Sequence, residues 1–106
     1  MNTRDIIVSK ILELSRKEYP DAEIYLYGSH ARGDAKPLSD WDLLILLNYK
    51  SIPFALETKI MDEFYEIELE TGEIISPLIY PKEEWDVKYR HTPIYENIKN
   101  ESIRLI

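Results

Sequence analysis

Residues 28–45 are GSHARGDAKPLSDWDLLI, and the chain on either side is organised around this segment. The segment runs into Trp41–Leu47, in which both alternating sets of positions are apolar beyond Asp42. That pattern predicts a strand covered on both faces, in the middle of a sheet. The segment begins with a glycine and a serine directly after EIYLY (residues 23–27), which predicts a strand ending in a tight turn. Between the two strands we expect one helical turn and then a loop.

Helices are predicted on both sides of these strands. Apolar residues recur at helical spacing over residues 3–19, and Pro20 stops the run. A second helix is predicted over Phe54–Glu70, with Gly72 in the position of a left-handed C-terminal residue. Within it, apolar and polar residues also alternate over Tyr65–Glu70, so an alternative interpretation of that part is the first arm of a hairpin that turns at Thr71-Gly72.

The last third of the chain adds a third strand, Glu73–Tyr80, in which Pro77 indicates an edge position or a bulge. The remaining predicted elements are a helical turn at Pro81–Trp85 and a last helix from an N-cap at Thr92, through Pro93, toward Lys99. Together they predict an α/β (α+β) fold with a small mixed sheet of three or more strands flanked by helices. We expect residues 1–106 to form a single domain.

Composition limits the classes of function. Thirteen Lys and Arg against twenty Asp and Glu give a formal net charge of −7, which disfavours direct binding to nucleic acid or anionic membranes. The chain has no cysteine, and its longest apolar run, residues 43–47, is far shorter than the ~20 residues that cross a bilayer. We therefore expect a soluble cytoplasmic protein, whose oligomeric state the sequence leaves open.

Asp40 and Asp42 are candidate metal ligands. They lie two residues apart at the start of a predicted strand, so their side chains project from the same face. Two carboxylates held that close need a cation or a proton between them. Mg²⁺ suits the pair because it binds one or two carboxylates together with substrate phosphates.

Gly28, Ser29 and Arg32 are candidate phosphate contacts. A glycine after a strand lets the backbone approach a ligand closely, and the serine hydroxyl and following amides can donate to phosphate oxygens. Arg32 lies between this turn and the aspartate pair, in a position to contact phosphate or ribose.

These residues resemble a known family. Gly28-Ser29, ten intervening residues and then Asp40-x-Asp42, followed by an apolar strand, are similar to the minimal nucleotidyltransferases of the DNA polymerase beta-like superfamily. The resemblance implies a transferase with two Mg²⁺ ions held by Asp40 and Asp42, and with ATP phosphates held by Gly28 and Ser29. It also implies transfer of AMP to a hydroxyl, expected to be a tyrosine of a HEPN-type toxin that this chain would silence as its antitoxin.

One position departs from the family pattern. Relatives often carry a third aspartate on the strand after the second helix, and Ser76 stands at that place here. Glu73 would face the other side of an extended strand, whereas Glu68 or Glu70 would be available from a hairpin arm. The third ligand is therefore open, and the alternative function is a nucleotide-binding module that neutralises its partner by binding alone.

Overall fold

The computed structural model describes residues 2–106, which form a four-stranded sheet with helices on both faces. The helices are α1 (Thr3–Glu18), α2 (Ser29–Arg32), α3 (Phe54–Thr71), α4 (Lys82–Lys88) and α5 (Pro93–Glu101). The strands are β1 (Glu23–Tyr27), β2 (Trp41–Leu47), β3 (Ile75–Pro81) and β4 (Ile103–Arg104). The predicted α/β fold with a small mixed sheet is confirmed.

The sheet has the strand order β3-β2-β1-β4, so β2 is an interior strand as predicted. It pairs parallel with β3 and antiparallel with β1, and β1 pairs antiparallel with β4. Pro77 lies in β3 at the edge of the sheet, where its missing N–H removes no bond from a second neighbour. The two-residue strand β4 was not predicted.

The hairpin alternative for residues 65–70 is wrong, because α3 is helical throughout. Ile60, Phe64 and Ile67 recur at three- and four-residue spacing and bury one side of this helix against the core. Gly72 then ends it in the left-handed conformation, with φ of 75°. The carboxylates of this segment therefore project from a helix, and the short alternating pattern within it has no structural meaning.

The two faces of the sheet carry different cores. On one face, α1 and α3 cover a mainly aliphatic cluster that includes Ile24, Leu26 and Leu43. On the other face, Leu44, Leu46, the indole of Trp85 and several tyrosines form a second cluster with α4 and α5. Burial on both sides explains why β2 is almost continuously apolar. Within residues 2–106, no helix combines the length and the apolar character needed to cross a membrane.

Candidate active site

A row of three polar side chains crosses the sheet at the beginning of β2. Asp42 is paired with Tyr27 on β1 and with Ser76 on β3. Side chains of residues paired in register lie on the same face of a sheet, which here is the face covered by α4 and α5. Asp42 and Ser76, the serine that stands in place of a third aspartate, therefore lie side by side on this face of the sheet.

Asp40 and Asp42 form the acidic centre of this row. Asp40 directly precedes β2, and its Oδ2 accepts a hydrogen bond of 2.8 Å from the Ser76 hydroxyl. Burial raises the pKa of the Asp42 carboxyl above its ordinary value, and the negative charge of Asp40 raises it further. Asp40 and Asp42 thus lie close enough for their charges to repel, and a bound cation would relieve this repulsion.

The turn at Gly28 lies against Asp42. Gly28 has φ of 76°, a left-handed conformation that residues with a side chain rarely adopt. A Cβ at this position would lie 3.2 Å from Cγ of Asp42 and closer still to its Oδ2. A glycine is therefore required both by the backbone conformation and by the approach of the carboxylate. Ser29 follows as the first residue of the single-turn helix α2.

Glu101, at the end of α5, joins the site from the far end of the sequence. Its Oε1 accepts a hydrogen bond of 3.2 Å from the backbone N–H of Gly28. Both of its carboxylate oxygens accept from Nη1 of Arg32, at 3.3 and 3.2 Å. Arg32 also pairs with Asp34 at 3.3 Å. In this structure the predicted phosphate contact Arg32 is thus bonded to two carboxylates, and Glu101 was missed.

An aromatic stack supports the loop between the turn and the aspartates. The rings of His30 and Trp41 lie parallel, with centroids 3.6 Å apart and an angle of 9° between their planes. Nε2 of His30 donates to the carbonyl oxygen of Ser39, 3.1 Å away. Because Ser39 and Trp41 flank Asp40 in sequence, these contacts hold the backbone on both sides of that carboxylate.

A cleft of about 560 Å³ opens beside these residues, between the Gly28 turn and α5. Its lining contains the predicted residues Gly28, Ser29, Arg32 and Asp42 together with Tyr27, Pro93, Ile94, Asn97, Ile98 and Glu101. Burial raises the pKa of the Tyr27 phenol to about 12, and the nearby negative charge of Asp42 contributes to this increase. Pro93, Ile94 and Ile98 of α5 give the cleft an apolar surface, and Arg32, Asp42 and Glu101 carry its charges.

The other candidates for a third carboxylate lie elsewhere. Glu68 accepts a hydrogen bond of 2.7 Å from the backbone N–H of Ile75, and Glu70 forms an ion pair with Lys10 on α1. Glu73 accepts from the indole N–H of Trp41, on the opposite face from Asp42, as predicted. Among residues 2–106, no cluster of three or more Asp, Glu or His side chains is arranged to hold a metal ion.

The donor set nevertheless fits Mg²⁺ bound together with a nucleotide. Asp40 and Asp42 supply carboxylate oxygens, and Ser76 adds a hydroxyl beside them. Mg²⁺ binds through one or two carboxylates and completes its coordination with phosphate oxygens and water. Burial and then the charge of Asp40 raise the pKa of Asp42, and a cation bound beside it would favour the ionised carboxylate.

Comparison with solved structures finds the same fold in toxin–antitoxin complexes. A toxin–antitoxin crystal structure with AMP-PNP has a TM-score of 0.64 and 17% identity, covering 93% of this chain and 72% of that one. Two mutant structures of the toxin–antitoxin MntA-HpeT have TM-scores of 0.66 and 0.61. Their identities are 15% and 17%, and the alignments cover 93% and 92% of this chain and 72% and 70% of those chains. At these identities the likeness establishes the fold.

No curated protein matches the sequence. The nucleotidyltransferase domain family matches residues 8–104, which span the whole sheet, the Gly28 turn, both aspartates and Glu101. The match confirms the resemblance first indicated by the Gly-Ser and Asp-x-Asp spacing. The chain belongs to the nucleotidyltransferase domain family.

Proposed function

We propose that this nucleotidyltransferase uses ATP and Mg²⁺ to transfer AMP to a hydroxyl of a partner protein, and that it acts in the cytoplasm as an antitoxin. The observation that carries the proposal is the meeting of Asp42 with the Gly28–Ser29 turn at one cleft. A carboxylate pair beside a glycine turn would suit Mg²⁺ bound together with a triphosphate, because Mg²⁺ prefers carboxylate and phosphate oxygens.

The chain's own residues have distinct roles in this proposal. Asp40 and Asp42 would hold two Mg²⁺ ions, and Gly28 and Ser29 would hold the β and γ phosphates. Arg32 contacts the phosphates or the ribose. When bound, the ions neutralise phosphate charge and lower the pKa of the attacking hydroxyl. The apolar wall of the cleft on α5 gives the base a surface to pack against.

The transfer step is an in-line displacement at the α phosphorus of ATP. A bond forms between the acceptor oxygen and this phosphorus, and the bond to the bridging oxygen of the β phosphate breaks. Pyrophosphate leaves, and the hydroxyl proton passes to solvent. In the structure, Asp42 is only half-buried and the cleft is open, so an acceptor side chain from another protein can reach the site.

The acceptor is expected to be a tyrosine of a HEPN-type toxin. Solved structures with the same fold include toxin–antitoxin complexes, and one of these contains the ATP analogue AMP-PNP. The net charge of −7 favours a more basic protein partner over direct contact with nucleic acid.

Ser76 favours a second candidate function, a nucleotide-binding module that silences its partner by binding alone. In this alternative the fold and the cleft bind ATP, but two carboxylates do not support fast transfer. The serine hydroxyl bonded to Asp40 is neutral at pH 7 and does not supply the charge of a third carboxylate.

Intact-mass analysis separates the two candidates. The chain is incubated with Mg-ATP and the protein encoded next to it, alongside an Asp42→Asn variant. Addition of AMP to the partner by the wild type and not by the variant supports the transferase. A stable complex with an unmodified partner supports the binding module, and modification of RNA ends or aminoglycosides in place of the partner contradicts both.

A further inference from the structure

The outer surface of α3 carries a second apolar face that the fold leaves uncovered. Phe54, Met61, Tyr65 and Leu69 have 83%, 43%, 55% and 63% of their surface exposed. Successive members are seven, four and four residues apart, which places all four within about 80° of one another around the helix axis. We call this set the α3 stripe.

The α3 stripe is separate from the side of the helix that forms the core, where Ile60 and Phe64 are fully buried. A helix on the surface of a globular protein ordinarily has one apolar face and a polar opposite face. A second row of large apolar side chains along several turns is typical of a surface that binds another helix.

The borders of the α3 stripe are acidic. Glu57 and Glu68 lie along one edge, and Asp62 and Glu66 lie along the other. The single basic residue of this helix, Lys59, lies near Glu66 around the helix axis, but its ammonium group is paired with Glu63 at 2.8 Å and with Glu18 at 3.4 Å. An apolar row between two acidic borders is complementary to a helix with an apolar seam and Lys or Arg on both sides of it.

We propose that the α3 stripe binds a basic amphipathic helix of another protein. A second copy of this chain would place acidic borders against acidic borders, and an anionic lipid surface would meet the same repulsion. The helix is 18 residues long, or roughly 27 Å, enough to pack along about five turns of a partner helix. This interface lies outside the nucleotide cleft and does not depend on nucleotidyl transfer.

The test uses synthetic peptides of about 20 residues that share a leucine seam and carry either Lys or Glu at the flanking positions. The Lys peptide is expected to bind the wild type with a Kd on the order of 10 µM, and the Glu peptide to bind at least ~10-fold more weakly. When the Lys peptide is added to the wild type, the amide chemical shifts that change should belong to residues of α3.

Tyr65→Lys is the test variant, and Val87→Lys on α4 is its matched control. Val87 is 72% exposed and lies outside the nucleotide cleft, so both variants make the same change of net charge at an exposed apolar position. Tyr65→Lys is expected to weaken binding of the Lys peptide at least ~10-fold, and Val87→Lys is expected to weaken it less than ~2-fold.

Equal losses in the two variants would show that bulk charge alone attracts the peptide, and would overturn the proposal. Amide chemical-shift changes that map to another face of the wild type when the Lys peptide is added would also overturn the proposal, and this result does not depend on either variant. A wild-type dimer in sedimentation that Tyr65→Lys dissociates would identify a second copy as the occupant, and binding of the wild type to phosphatidylcholine vesicles would identify a membrane. Either result would contradict a basic helix as the partner.

Discussion

The hydroxyl of Ser76 donates a hydrogen bond of 2.8 Å to Oδ2 of Asp40, and Ser76 itself is paired in register with Asp42 on the neighbouring strand. A side chain at position 76 therefore reaches the acidic centre of the site directly. A carboxylate at this position would complete a group of three, whereas the serine contributes only a neutral hydroxyl. This relationship governs how well the proposed site can hold two metal ions.

We expect Ser76→Asp to accelerate AMP transfer if transfer is limited by the missing carboxylate. A metal-positioning contribution of this kind is worth on the order of 10² to 10⁴ in rate. The measurement is the single-turnover transfer rate to the partner at saturating Mg-ATP, with Ser76→Ala as the control that removes the hydroxyl without adding charge. An unchanged or lower rate in Ser76→Asp would mean that the two aspartates work unaided.

Asp42→Asn is expected to stabilise the metal-free protein at neutral pH. The pKa of Asp42 is raised in the folded state, so the folded protein holds this proton more tightly than the unfolded chain. The free energy of unfolding therefore falls as pH rises from the ordinary aspartate pKa through the raised one, and the loss persists at pH 7. The asparagine variant does not incur this loss.

Urea unfolding at pH 4 and pH 7 in EDTA measures this effect, with the exposed Asp21→Asn as the control. The stability gained by Asp42→Asn over the wild type should be larger at pH 7 than at pH 4. A gain that is the same at both pH values would show that the carboxyl of Asp42 does not carry the penalty.

Gly28→Ala and Gly72→Ala form a matched pair. Both glycines have positive φ, so each alanine costs about 1 kcal/mol of backbone strain. Only at Gly28 does the added methyl also meet Asp42, which adds on the order of 1 to 3 kcal/mol and displaces the carboxylate. We expect Gly28→Ala to lose ATP binding as well as stability, measured by calorimetry and urea unfolding. Equal effects of the two substitutions would contradict the close approach.

Glu101→Ala tests whether α5 holds the Gly28 turn in place. The substitution removes the acceptor of the Gly28 N–H and the partner of Arg32, and we expect a loss of about 1 to 2 kcal/mol in unfolding free energy. ATP affinity should fall as well, because the turn is no longer held. Glu96→Ala, on an exposed position of the same helix, should change neither. Tighter ATP binding by Glu101→Ala would instead show that this carboxylate competes with phosphate.

Most of the fold could be predicted because local pattern and burial agree in this chain. The β2 segment is apolar at both alternating positions, and it is the strand buried on both faces. Thr92 and Pro93 predict the start of α5 through the capping chemistry of two adjacent residues, which the structure confirms with the Thr92 side chain accepting from the Tyr95 N–H. Such features are local, so the sequence shows them directly.

The features that were missed arise from tertiary contacts. β4 has two residues and exists because β1 offers a free edge, not because Ile103 and Arg104 have a strand pattern. The helix α4 extends past Trp85 to Lys88, and the residue that follows it, Tyr89, packs its ring against Trp85. Glu101 is one of twenty acidic residues and lies 73 positions from Gly28, so only the folded chain distinguishes it from a solvated surface carboxylate.

Calorimetric titration of ATP into the wild type and into Asp42→Asn, each with Mg²⁺ and with EDTA, measures whether the two aspartates bind a metal together with the nucleotide. We expect the wild type to bind ATP at least ~10-fold more tightly with Mg²⁺ than without it, and Asp42→Asn to lose this difference. Equal affinities in all four titrations would contradict a metal–nucleotide site at Asp40 and Asp42.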